Sequence, residues 1–142
     1  MIGGGPAGVE LGGNIWRIVK DNNGDAKITL VAGTRVLKNA PGKVRSLALR
    51  SLGDRNIAVM EGRHVEGSAN GNIVFDDGFI FPFDVAFLAT GVRPSSLFRE
   101  SGLPTGDDGD AYLQSVRYPE LFGGGDCISL WQHRLPKSAS TQ

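Results

Sequence analysis

Three glycines, Gly3, Gly5 and Gly8, stand in the run Met1-Ile2-Gly3-Gly4-Gly5-Pro6-Ala7-Gly8-Val9-Glu10, one residue apart and then two. That spacing suits a diphosphate. The first glycine permits a tight turn from strand to helix, the second lets backbone approach the pyrophosphate, and the third lets helix and strand pack closely. The helix that follows aims its unpaired amides and partial positive charge at the phosphates, so no lysine is required. Gly4, Pro6 and Ala7 lie in the same loop and join the same candidate cofactor site. Glycine-rich turns that bind nothing share this spacing, so its weight comes from the elements around it. Glu10, read from the residues alone, is an acid in the first turn of the helix, where the dipole favours it.

About twenty residues beyond such a loop, a binder of NAD usually presents an acid to the adenosine ribose. Here the chain reads Val31-Ala32-Gly33-Thr34-Arg35, and the acid is missing. Arg35 is suited to pairing with a 2′-phosphate or stacking on adenine, which would favour NADPH; a solvated arginine is the plainer reading. From Arg35 to Arg55 six basic residues (Arg35, Lys38, Lys43, Arg45, Arg50, Arg55) face one acid, Asp54. Such an excess can steer an anionic cofactor or meet a lipid headgroup, although the exposed face of a helix accounts for it as well. No aromatic interleaving supports nucleic-acid binding. His64 and His133 stand far apart beside a single cysteine, Cys127, so no metal site is expected. No serine lies on a nucleophile-elbow sequence.

The elements needed to position these residues are legible in turn. A helix is expected over about Pro6 to Asp21, with Val9, Ile15, Trp16 and Val19 on its apolar face, Gly12 and Gly13 allowing close approach to a sheet, and Asn22-Asn23-Gly24 as its stop. Lys27 to Val31 reads as a buried parallel strand. Val44, Leu47, Leu49 and Leu52 suggest a second helix between Pro41 and Gly53, and Asn56 to Met60 another strand. From Arg63 to Pro82 the period changes to two, with turn signals at Asn70-Gly71 and Asp77-Gly78, so a three-stranded antiparallel meander is expected. Phe83 to Ala89 returns to a buried-strand pattern and delivers Thr90-Gly91 at its carboxyl end, where open α/β sheets bind ligands. A short helix near Ser95 to Ser101 follows, and the polar stretch after Trp131 reads as a frayed or cut end. The fold class is therefore α/β, a βαβ sheet with a β-meander insertion. Only Met1 and Ile2 precede the glycine loop where a strand of about five residues is usual, so the reading expects a domain excised from a longer protein with its first strand clipped.

At 142 residues the chain cannot hold two complete nucleotide-binding domains. Fifteen Lys and Arg balance fifteen Asp and Glu, so a phosphate ligand must be bound locally rather than gathered by a global field. Twenty-one glycines are about 15% of the chain, twice the roughly 7% of average proteins. One cysteine excludes an internal disulfide, and a reducing, cytoplasmic compartment fits best. The apolar stretch from Phe83 to Ala89 is far too short to span a membrane, and no basic-then-apolar leader opens the chain.

Taken together, Gly3-Gly4-Gly5-Pro6-Ala7-Gly8-Val9-Glu10-Leu11, Ala89-Thr90-Gly91-Val92-Arg93-Pro94 and Leu121-Phe122-Gly123-Gly124-Gly125-Asp126-Cys127 resemble the pyridine-nucleotide-binding half of two-dinucleotide-binding-domain flavoproteins, the pyridine nucleotide-disulfide oxidoreductases. The order of Ala-Thr-Gly and then Gly-Asp-Cys looks most like type II NADH dehydrogenases and the oxidoreductases associated with selenide, water dikinase. Ser101-Gly102-Leu103-Pro104, Asp108-Gly109 and Pro136-Lys137 extend the likeness. The resemblance implies a Rossmann-like NAD(P)-binding domain over residues 1–117, and over residues 118–142 a partial C-terminal segment of the FAD-binding domain. Gly125 and Asp126 would contact the flavin's ribityl or pyrophosphate region. It places Glu10 near the nicotinamide, as the one candidate catalytic residue, and Thr90-Gly91 near the junction with the flavin domain. It implies a parent enzyme that passes hydride from NAD(P)H to FAD and electrons to a quinone or another small acceptor, this fragment alone being inactive. The same-chain FAD domain is the expected partner, with no nucleic acid, and membrane attachment of the parent would depend on segments beyond these residues.

The departures matter. Ala32 lies where relatives preferring NADH often carry an acid, which leaves the nucleotide preference open. Cys127 matches a flavin-side packing position rather than a redox thiol. The absent dithiol argues against a thioredoxin-reductase arrangement, while a glutathione-reductase arrangement would keep its cysteines in the missing half. The rival reading is a stand-alone nucleotide-binding sensor or interaction module without flavin, which would have no need of a Gly-Asp tail and would require its own complete first strand.

Overall fold

A computed structural model of the chain describes residues 1–92, 95–106, 111–112, 114–115, 117–125 and 128–129. The glycine run opens directly into α1 (Pro6–Asp21), with Pro6 in the first turn, where its fixed φ is already helical and its missing N–H costs nothing. The helix stops as the sequence predicts. Asn23 turns left-handed at φ 51, and the Gly24 N–H donates to the carbonyl of Val19 at 2.8 Å. Next come β1 (Thr29–Ala32), α2 (Gly42–Gly53) and β2 (Ala58–Glu61). The two strands pair in parallel with Leu30 opposite Val59 and Ala32 opposite Glu61, so the crossover is of the βαβ kind.

Ile2 supplies the strand beneath the glycine loop in abbreviated form. It makes isolated parallel bridges to Val31 on one side and Leu88 on the other. Its N–H donates to the carbonyl of Phe87 at 2.8 Å and its carbonyl accepts from Ala89 at 2.7 Å. Val31 donates to Met1 and Gly3 donates to Val31, both at 2.8 Å. A single residue thereby joins two segments far apart in sequence.

The meander is present: β3 (Val65–Ala69), β4 (Asn72–Phe75) and β5 (Ile80–Pro82) form a separate antiparallel sheet in that order. Asn70 and Gly71 make its first turn, with φ of 50 and 73, the paired left-handed conformation that Asn-Gly favours in two-residue hairpins. Alternation along β1 then divides the core between two faces. Leu30 and Ala32 pack with Val36, Leu37, Leu52 and Ile57, and Val9 and Trp16 of α1 lie against that cluster. Val31 packs on the opposite face with Ile73 and Phe75 of the meander. Helices, parallel sheet and meander are stacked layers, and each fully buried Leu, Val or Phe contributes on the order of 1.5–3 kcal/mol.

Two expectations need correction. Phe83 to Ala89 is not a buried strand: apart from the bridge at Leu88 it is irregular, and Val85 and Leu88 are 67% and 72% exposed. Its backbone finds Ile2, but the meander-side cluster extends only as far as Phe83, so pairing is not accompanied by cover. On α2, Val44 and Leu47 face outward, whereas Ala48, Leu49 and Leu52 pack on the core. The inward stripe is Arg45, Ala48, Leu49 and Leu52 at i, i+3, i+4 and i+7, which puts an arginine in the place expected for an aliphatic residue.

The chain divides into two compact units, residues 1–90 and 91–142. Within the second lie α3 (Leu97–Glu100), where a short helix was expected, a parallel pair of β6 (Ala111–Tyr112) and β7 (Ile128–Ser129), and an antiparallel bridge between Gln114 and Phe122. Arg93, Pro94, Asp108, Gly109, Asp126, Cys127, His133, Pro136, Lys137 and the polar end of the chain lie outside the described residues. Among the described residues no helix is long and apolar enough to cross a membrane.

Candidate dinucleotide site

The glycine loop sits at the carboxyl end of the parallel strands, pressed onto the sheet from below and open above. Gly3 has φ 132, and a Cβ there would strike the carbonyl of Ala89. A Cβ on Gly8 would strike the carbonyl of Gly3, so α1 approaches the turn as closely as backbone allows. At Gly4 it would lie 2.5 Å from the Cβ of Ala32. Gly5 differs, since a Cβ there meets nothing within 4 Å. Gly5 is also the N-cap of α1 and no side chain caps the helix, while Pro6 and Ala7 are exposed beside it. The loop's floor is packed and its rim, where a phosphate would approach, is clear. Gly12 also makes a close approach, to the side chain of Met1, but Gly13 faces open space.

Ala32, where the acid of NAD binders is expected, is buried. The register of the strands brings an unforeseen carboxylate beside it, that of Glu61 at the end of β2. The Glu61 Oε1 accepts the Val36 N–H at 2.6 Å, and Nη2 of Arg45 donates to both carboxylate oxygens at 2.8 Å. The Val36 backbone bond holds the Glu61 pKa below the ordinary carboxylate value; burial opposes it, and hydrogen bonding and charge from Arg45, with charge from Arg35, assist it. Nothing in the local sequence pairs Glu61 with Ala32, because the signal is strand register across a crossover.

The loop after β1 is tied down throughout. Gly62 donates to the carbonyl of Thr34 at 2.9 Å, and Leu37, left-handed at φ 50, donates to the carbonyl of Gly4 at 2.7 Å. The imidazole of His64 covers Gly33, where a Cβ would sit 2.7 Å from Nδ1. Arg35 projects from this loop, exposed. The first unit therefore gathers Gly3, Gly4, Gly5, Pro6, Ala7, Gly8 and Arg35, with Thr90 exposed just after Ala89.

Glu10 is exposed on the second turn of α1, and the first turn holds no acid, so the dipole argument for it fails: that effect fades within one turn. Gly91 at φ 121 and Gly125 at φ 81 belong to the second unit, and Asp126 lies outside the described residues. Among the described residues there is no group of three or more His, Cys, Asp or Glu able to hold a metal. At the opposite, amino end of β1 and β2, Trp16, Lys20, Lys27, Thr29, Arg55 and Ala58 border a cavity of about 550 Å³. There Lys20 and Arg55 stand 4.8 and 5.1 Å from the Trp16 ring centre.

Comparison with known proteins bears on the family and the fold. The sequence pattern of the pyridine nucleotide-disulphide oxidoreductases matches residues 1–141. The internal alternative NAD(P)H-ubiquinone oxidoreductase A1, mitochondrial, of Arabidopsis thaliana is 27% identical, with 89% of this chain and 27% of that protein covered. The NAD-dependent persulfide reductase from A. fulgidus superposes with a TM-score of 0.69 at 24% identity, covering 89% of this chain and 24% of that one. An engineered water-forming NADPH oxidase bound to NADPH gives a TM-score of 0.66 at 25% identity, covering 89% and 29%. The chain spans about a quarter of the length of the curated relatives it matches.

Proposed function

The chain belongs to the pyridine nucleotide-disulphide oxidoreductase family, and from that premise we propose that it is the NAD(P)H-binding part of an FAD-dependent oxidoreductase. The observation that carries this reading is the glycine loop: packed onto the sheet at Gly3 and Gly8, open at Gly5, and uncapped where α1 begins. Those residues fit a dinucleotide. The Gly3 turn and the Gly8 contact would let the amides of the first helical turn meet the pyrophosphate, Gly4, Pro6 and Ala7 would shape the rim, and the exposed Arg35 would meet a 2′-phosphate. Thr90 and Gly91 would line the approach to the reactive end, and Glu10 would lie near the nicotinamide. When bound to the parent, FAD would supply the redox chemistry, as acceptor of hydride from NAD(P)H and donor of electrons to a quinone or another acceptor. This chain's part is orientation: residues 1–117 hold the nucleotide, and Gly125 and Asp126, within residues 118–142, would meet the flavin. The 142 residues alone would not catalyse the transfer.

The relatives support this assignment in their names, as NAD(P)H-ubiquinone oxidoreductases and an NADPH oxidase. The Arabidopsis thaliana relative is named as mitochondrial, whereas the composition of this chain points to a reducing, cytoplasmic compartment. The family match runs through residue 141 and so takes in the Gly-Asp tail, which favours an enzyme part over a stand-alone sensor module. Calorimetric titration of the chain with NADH, NADPH and FAD tests the proposal. Saturable binding of a nicotinamide nucleotide with no FAD binding is expected; no nicotinamide binding would refute it.

A further inference from the structure

Val36 is fully buried, and both its backbone groups are held by side chains from other elements. Its N–H donates to Glu61 at 2.6 Å and its carbonyl accepts from Nε of Arg45 at 3.2 Å. Arg45 and Glu61 complete the arrangement by pairing with each other through both carboxylate oxygens. Their side chains are 21% and 31% exposed, and an ion pair so placed contributes little to stability by itself. What they hold is more informative.

Val36 lies between Arg35 and Leu37. On the Leu37 side the chain is bonded to the carbonyl of Gly4, and a Cβ on Gly4 would come within 3.4 Å of the Val36 Cα. On the other side Thr34 is bonded to Gly62, which follows Glu61 directly. One two-point pair, anchored on α2 and the end of β2, thereby fixes Val36, and through its neighbours both the glycine loop and the segment carrying Arg35. The left-handed Leu37 is a conformation that aliphatic residues rarely adopt unaided, so its surroundings must hold it.

We propose that Arg45 and Glu61 are positioning residues for the dinucleotide: acting through Val36, they set the glycine loop and the Gly33–Arg35 segment in the register that lets one ligand span both. The proposal rests on the reading of the glycine loop as the NAD(P)H site. Arg45 suits the task because Nη2 meets both oxygens of Glu61 while Nε reaches the Val36 carbonyl, two separate donor nitrogens that a lysine's single ammonium cannot supply.

The test is calorimetric titration of the chain and its Glu61→Ala, Glu61→Gln and Arg45→Lys variants with NADPH and NADH, each alongside a melting curve. Glu61→Ala is expected to weaken both nucleotides by about tenfold at a temperature where the protein is fully folded, since small misplacements of binding groups are costly. Glu61→Gln, which keeps an acceptor for the Val36 N–H, and Arg45→Lys, which keeps the charge but not the two separate donor nitrogens, should each lose about threefold. Should Glu61→Ala not fold, these two decide the matter. A lowered melting temperature with wild-type affinity in the folded variants would overturn the proposal and leave the pair a purely structural role. Failure of the unmodified chain to bind either nucleotide would overturn the site itself and the positioning role with it.

Discussion

Two apolar segments flank Ile2, and they meet different fates. On one side β1 is almost wholly inaccessible, with Leu30, Val31 and Ala32 no more than 2% exposed. On the other, residues 83–89 pair with the same Ile2 backbone, yet Val85, Phe87 and Leu88 are 67%, 41% and 72% exposed. An apolar run tells where backbone can pair; burial requires a layer on each face. β1 has α1 and α2 on one face and the meander on the other, whereas Phe83 is the last of its segment to reach the meander-side cluster. The glycine loop draws on both sides, because Gly3 donates to Val31 of β1 and leans on Ala89 of the open segment.

The contrast sets the order of expected effects. Leu30→Ala should cost about 3 kcal/mol in chemical denaturation, because it empties space between β1 and the helices. Leu88→Ala should change stability by no more than about 0.5 kcal/mol, and a large loss there would mean that the open segment is covered after all. Gly8→Ala, which sets a methyl against the Gly3 carbonyl, should cost about 2 kcal/mol and abolish nucleotide binding. Arg35→Ala should weaken NADPH about tenfold and leave NADH nearly unchanged, as expected of a charge that meets only the 2′-phosphate; equal losses would remove Arg35 from that role. Gly13→Ala, on the same helix as Gly8 but facing open space, should stabilise the chain by about 0.5–1 kcal/mol.

A pH dependence is also expected. Glu61 has a folded pKa below its ordinary value, so its contribution to stability is complete above about pH 4.5 and is lost as pH falls through the lower folded value. Denaturation curves of the chain and of Glu61→Gln should therefore differ at neutral pH and converge in acid. A gap that persists or widens toward acid would contradict the assigned direction.

How much was legible follows from how local each signal was. Helix α1 could be read end to end because Pro6 opens it and Asn23-Gly24 closes it, both nearest-neighbour effects. The first turn of the meander was equally local, since Asn70-Gly71 can adopt two successive left-handed conformations where most residues cannot. The glycine spacing gave the candidate loop but not its company. Glu61 reaches Val36 only through the parallel register of β1 and β2, a long-range fact with no mark in either strand. On α2 Leu49 and Leu52 pack inward as expected, while Val44 and Leu47 face outward and Ala48 takes an inward place. Arg45 occupies the inward stripe because its polar end has Glu61 and the Val36 carbonyl waiting for it. Residues 83–89 were misread because period and composition report pairing, not cover.

A map of backbone amide shifts when NADPH is added to the chain tests whether the glycine loop is the nucleotide site. Perturbations should concentrate at Gly3, Gly4, Gly5, Ala7 and Gly8 and at the Gly33–Leu37 segment, leaving Lys20, Lys27 and Arg55 at the far end of the strands undisturbed. Unmoved glycine-loop amides, or shifts centred on the Trp16 cavity, would show that the nucleotide does not bind at the glycine loop.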